Sequence, residues 1–268
     1  MRPAPLARQL TAAAQAVHPA PPARPSHRRP AVFGRTRVLP LALAGALLAV
    51  AGGAGAQSAC SSDGQPAPSV MVERFLSADC DTCWRDPATP PAPPGAVALD
   101  WVLPGTAGED APLAAVARRE SLARLAEAGL PVPYAGATQA RRSTRRGTPG
   151  AWLRVAHGLP LGGYLGTSIR WRMPAGVPQP LRVRLALVEQ LPAGTEGSPV
   201  ARNLVRNVLE PLSHSHPTLS NQEYVSGQES RPMNLPEGTD PARVAVIGWL
   251  EDAGGRLRAV AFSRCAPR

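Results

Sequence analysis

The 268-residue chain contains no lysine: all 29 of its cationic side chains are arginine. That pattern is read as codon usage in a GC-rich genome, because phosphate recognition would gather the cations on one basic face. Acidic residues are missing from residues 1–56, which carry seven arginines, so the formal net charge of +10 belongs mostly to this leader. Residues 57–268 hold 22 basic and 19 acidic side chains and are nearly balanced. A nucleic-acid partner is therefore not expected. A Walker loop, a dinucleotide-type glycine pattern and a convincing serine-nucleophile elbow are also absent, and no cofactor is expected. After the leader, no segment approaches the roughly 20 apolar residues of a membrane-spanning helix. The 32 prolines and 25 glycines leave little room for long helices, which excludes coiled coils and helical bundles. What remains, with 44% hydrophobic and 18% charged residues, is a globular composition.

Residues 38–50 (VLPLALAGALLAV) form a 13-residue apolar run behind the arginines, and Ala54-Gly55-Ala56 supplies small residues suited to a signal peptidase. The expectation is export, cleavage after Ala56 and a periplasmic or secreted product spanning 57–268, without an integral membrane segment. Cys60 follows the small residues Ser58 and Ala59 as a lipidated cysteine would, but Gln57 stands where an aliphatic residue is wanted.

Export gives the four cysteines their meaning. Cys60, Cys80, Cys83 and Cys265 are an even set with three pairings open to them. Cys80 and Cys83 form a CxxC that can close into a small ring, which would leave Cys60 and Cys265 to join the two ends of the mature chain. Two exposed free thiols are the plainer alternative for that second pair.

Strands are expected over 69–76, 96–103, 151–155, 169–173 and 181–188, the last alternating so cleanly (LRVRLALV) that it reads as half-buried. Asp110 and Pro112 open a helix expected to run to Gly129. Residues 201–212 read as a short helix or strand, and 244–250 with 257–262 as a terminal hairpin turning through Gly254-Gly255. The proline-rich stretch 87–95 bars a helix there.

The segment VERFLSADCDTCW, a strand leading into CxxC, resembles the opening of a thioredoxin-like domain and, more specifically, the secreted bacterial family known as domain-of-unknown-function 1223. ALDWVLPG with the helix after it, ARNLVRNVLEPL, and LPEGTDPARVAVIGWLEDAGGRLRAV resemble further parts of that family. The resemblance implies an α/β fold: a thioredoxin-like domain with a β-rich C-terminal extension, its CxxC part over 69–173 and the β-rich part over 174–268. It also implies a cis proline beside the cysteines, for which Thr148-Pro149 stands in the matching sequence context and would orient an extended substrate. Cys80 would then be the nucleophile, its thiolate favoured at a helix N-terminus, and Cys83 the resolving thiol, with protein thiols or disulfides as partners.

Two features weigh against a strongly activated Cys80. Prolines from Pro87 onward confine the supporting helix to one or two turns, and Asp79 and Asp81 flank the cysteine with negative charge. Arg85 or an arginine among 141–146 would offset them. Two functions follow: a thiol-disulfide oxidoreductase, or a non-catalytic secreted binding or structural domain with the CxxC as a fixed disulfide. Trp84, Asp100 and Trp101 are candidates for lining the site, Trp101 reading more simply as core. Arg141, Arg142, Arg145 and Arg146 read as a solvated loop. Asn203 and Asn207 match family positions with no chemistry attached. His214 and His216 suggest copper or zinc, but a solvated loop is the simpler reading and no metal is expected.

Overall fold

The computed structural model describes residues 59–134, 136–209 and 223–265. The leader with its cleavage site and the histidines at 214 and 216 lie outside the described residues. In chain order the elements are β1 (Cys60–Ser61), β2 (Val70–Ser77), α1 (Asp81–Trp84), β3 (Ala96–Leu103), α2 (Glu120–Glu127), β4 (Thr138–Thr144), β5 (Trp152–His157), β6 (Tyr164–Pro174), β7 (Arg182–Leu191), β8 (Arg202–Leu209), β9 (Tyr224–Asn234), β10 (Val244–Glu251), β11 (Leu257–Phe262) and β12 (Arg264–Cys265). They build two sheets, one in the order β12-β1-β5-β6-β9 and one in the order β11-β10-β7-β8-β3-β2-β4.

This corrects the α/β thioredoxin-like expectation: the protein is mostly β, in sheets of five and seven strands. Among the described strands, the parallel neighbours are β2 with β3 and β3 with β8. The helix expected over 111–129 shrinks to the eight residues of α2, preceded by two 3₁₀ turns at Gly108–Asp110 and Ala114–Val116. Two strands absent from the sequence reading, β4 and β9, have a common reason. Each lies at a sheet edge, where one flank has no neighbouring strand among the described residues, and each carries polar residues on both faces (TQARRST and YVSGQESRPMN). Polar residues suit an edge and erase the period-two hydrophobic signal. The arginines placed in a loop at 141–146 thus lie partly in a strand.

The seven-stranded sheet is covered on both faces. Val183, Leu185 and Leu187 of β7 pack with Val155, Leu165, Ile169 and Met173 of the other sheet. The intervening Ala186 and Val188 join Phe75, Leu99, Trp101, Leu125 and Trp249 on the opposite side. So β7 is buried on both faces rather than one, and Arg184, which looked like a solvent-facing residue of the alternation, is buried. The sheets are in close contact at Gly248: a Cβ there would stand 2.5 Å from Val155 Cγ1 and 2.9 Å from Ile169 Cδ1. Only a residue without a side chain permits that contact.

Ionic pairs tie α2 to the sheet beneath it. Arg124 donates to both oxygens of Glu73 at 2.7 Å and to Glu251 at 2.8 and 2.9 Å, while Arg184 bridges Glu251 and Glu127. Burial disfavours the charge on Arg124, but Glu73 and Glu251 outweigh it and raise its pKa. Arg141 of β4 stands 3.9 Å from Glu73 and 3.7 Å from Glu251, which gives this arginine an internal role. Buried charges survive here because each has several partners.

Candidate redox site

β2 delivers the chain to Cys80, and the turn that follows places Cys80 at the N-cap of α1, one turn long. Cys80 and Cys83 are joined in a disulfide with Cα atoms 5.2 Å apart. Cys80 Sγ accepts hydrogen bonds from the backbone N–H of Cys83 at 3.1 Å and of Gly136 at 3.2 Å, with Thr82 Oγ1 at 3.4 Å. Two N–H groups aimed at one sulfur favour its thiolate once the bond opens. They carry this effect themselves, since a four-residue helix contributes little dipole.

The flanking carboxylates are engaged elsewhere. Asp79 accepts from Thr106 N at 2.6 Å, Thr106 Oγ1 at 2.9 Å and Ala107 N at 3.2 Å, and the Thr106 bonds hold its pKa below the ordinary value. Asp81 pairs with Arg85 at 2.8 Å, so Arg85 supplies the offsetting charge.

Behind the cysteines sits a buried triad that the sequence did not reveal. Asp100 receives Arg74 at 2.7 Å on one oxygen and Arg202 at 2.8 Å on the other, and Asn203 N donates to it at 3.1 Å. Arg202 also donates to the Trp84 carbonyl at 2.9 Å, and its guanidinium lies 4.5 Å from the Trp84 ring centre. Arg74 reaches the Pro90 carbonyl at 3.0 Å. One carboxylate thereby anchors both the end of α1 and the proline-rich stretch. Asp100 consequently lies beneath the site, a support rather than part of its lining. Trp84 is buried too, its indole N–H on the Glu196 carbonyl at 2.7 Å. Trp101 is core, stacked on Phe75 and edge-on to Trp249. Asn203 and Asn207 bond the carbonyls of Ala98 and Asn234, a structural use.

A cleft of about 750 Å³ opens beside the pair, lined by Thr82, Cys83, Arg85, Pro87, Gly136 and Thr138 among others. Cys83 is among its lining residues and Cys80 is not. Pro149 is not among them either. The Thr148–Pro149 bond is trans, and the cis bond among the described residues is Gln179–Pro180. Pro149 leads through Gly150, packed on Tyr224, into β5 of the five-stranded sheet. The strand paired antiparallel with β2 is β4, and Gly136 and Ala137 lead into it. Pro149 therefore leads into the other sheet, and the expectation of a cis proline beside the cysteines is corrected.

Cys60 and Cys265 form the second disulfide, in register between β1 and β12 with Cα atoms 3.9 Å apart. Comparison with protein-family models, with curated proteins and with solved structures found no match.

Proposed function

We propose that the Cys80–Cys83 pair exchanges disulfides with protein thiols that enter the cleft beside α1. The observation that carries this reading is the two-donor cradle on Cys80 Sγ. An incoming thiolate attacks Cys83 Sγ from the cleft, the Cys80–Cys83 bond breaks, and Cys80 leaves as a thiolate held by the N–H groups of Cys83 and Gly136. A lower-pKa thiol leaves faster. A second thiolate of the same substrate then displaces Cys83, so two electrons and two protons pass from the substrate dithiol to the pair. In the reverse direction Cys80 is the resolving thiolate. These roles invert the sequence expectation, which made Cys80 the attacking nucleophile and Cys83 the resolving thiol. Two intramolecular disulfides fit an oxidising compartment outside the cytoplasm.

Single variants test the assignment. With glutathione disulfide as probe, Cys80→Ser is expected to accumulate a stable adduct on Cys83, while Cys83→Ser traps little on the shielded Cys80. Insulin reduction should vanish in both. The opposite trapping pattern overturns the assigned roles.

A second reading, a fixed staple, is favoured by burial, since Cys80 is 3% and Cys83 6% exposed. A couple below about −300 mV behaves as structural. A measured value well under that figure, together with absent insulin reduction, selects the staple.

A further inference from the structure

We infer that Cys60, Cys265 and His157 constitute a zinc site when the disulfide between the two cysteines is reduced. Strand β1 lies between β12 and β5, and Cys60 is directly opposite Cys265 on one side and His157 on the other. Directly opposed residues of neighbouring strands project from the same face of a sheet. The three side chains therefore form one row, and their ligand atoms, two sulfurs and an imidazole nitrogen, all lie within 4.8 Å of one another.

The imidazole supplies an independent indication. His157 is 4% exposed, and its Nδ1 is 2.8 Å from the Gly158 carbonyl. A carbonyl can only accept, so Nδ1 carries the proton and Nε2 presents a lone pair. Nε2 is buried and has no hydrogen-bond partner among the described residues. A backbone carbonyl on one ring nitrogen with the other left free is how metal-bound histidines are commonly oriented.

The chemistry balances with an external dithiol as reductant. The dithiol is oxidised to its disulfide, and two electrons and two protons convert Cys60–Cys265 to two thiols. Zinc then displaces both thiol protons and binds two thiolates and Nε2. That ligand set suits zinc and leaves a fourth tetrahedral position open. Cys265 is the exposed member of the row. The clasp between the two ends of the described chain would thus exist in two forms, one covalent and one metal-bridged.

The test uses the full chain carrying Cys80→Ser and Cys83→Ser, which removes the other thiols, reduced with a phosphine and titrated with cobalt(II) as a spectroscopic stand-in. Expected is uptake of one equivalent with a thiolate-to-cobalt charge-transfer band and tetrahedral visible bands, bleached by zinc. The oxidised protein should show neither. Removing a group that merely supports a ligand weakens metal binding by about 10–100-fold, so His157→Ala should cost at least about tenfold. If reduction unfolds the chain, zinc must restore the β-sheet circular dichroism and a chelator must abolish it. No uptake by the reduced protein, unchanged affinity in His157→Ala, or failure of zinc to refold an unfolded reduced chain overturns the inference.

Discussion

Cys60 and Cys265 are 205 residues apart in sequence, whereas Cys80 and Cys83 are separated by three. The first pair clasps the short strands at the two ends of the described chain; the second closes a ring at the tip of one strand. In the chain-entropy picture the long loop contributes roughly 5 kcal/mol to stability and the short ring about 2. The clasp therefore restrains the denatured chain, while the ring adds little to the fold. The Arg74–Asp100–Arg202 triad anchors the residues that follow the ring, through the carbonyls of Trp84 and Pro90. In the chain-entropy picture, opening this ring removes little of the fold's stability.

Four measurements would break or sharpen this contrast. Replacing both clasp cysteines, Cys60→Ala with Cys265→Ala, should cost about 4 kcal/mol in urea unfolding and lower the melting temperature by roughly 10 °C. A loss no larger than that of the CxxC double variant would remove the distinction. Asp100→Ala leaves Arg74 and Arg202 facing each other without a counter-charge, an expected cost of about 3 kcal/mol. The same change should release Trp84 and shift its fluorescence; an unaltered spectrum would show that the triad does not anchor α1. Cys80→Ala with Cys83→Ala should cost no more than about 2 kcal/mol.

The smallest effect concerns pH. Burial lowers the pKa of His157 beneath its ordinary 6.5, opposed by the Gly158 carbonyl. The unfolded chain then binds a proton more readily, so the stability from neutral His157 is present above about pH 6.5 and is lost as pH falls toward the depressed value. Glu251 acts in a lower window. Burial would raise its pKa, but Arg124 and Arg184 outweigh that and place it below the ordinary 4.5. Its contribution is present above that value and is lost as pH falls through the lowered one. His157→Gln should flatten the stability profile between pH 5 and 7, as about the unperturbed histidine range, without altering the acid limb. A profile unchanged in that interval would show that the buried imidazole does not titrate with folding.

The sequence made the interior strands legible. Ala96–Leu103 matches its expected bounds, and the closing hairpin turns where Gly254-Gly255 stand. Such strands are apolar enough to announce themselves, and the CxxC was visible from spacing alone. The edge strands β4 and β9 were illegible because their polar residues serve an exposed flank. Gly136, the second donor to Cys80, precedes β4 and is illegible for the same reason. The role of Asp100 is not legible in the sequence, because Arg74 and Arg202 lie 26 and 102 residues away from it.

By itself the sequence determined which segments are apolar enough to be strands, where prolines forbid helices, and that two cysteines stand three positions apart. Those are local properties, set by side-chain chemistry and backbone freedom within a few residues. The tertiary structure alone decided how the strands divide into two sheets, which arginines are buried on carboxylates, and that Cys60, Cys265 and His157 share a row. Each of those results joins residues far apart in the chain, where register and burial, not composition, select the neighbours.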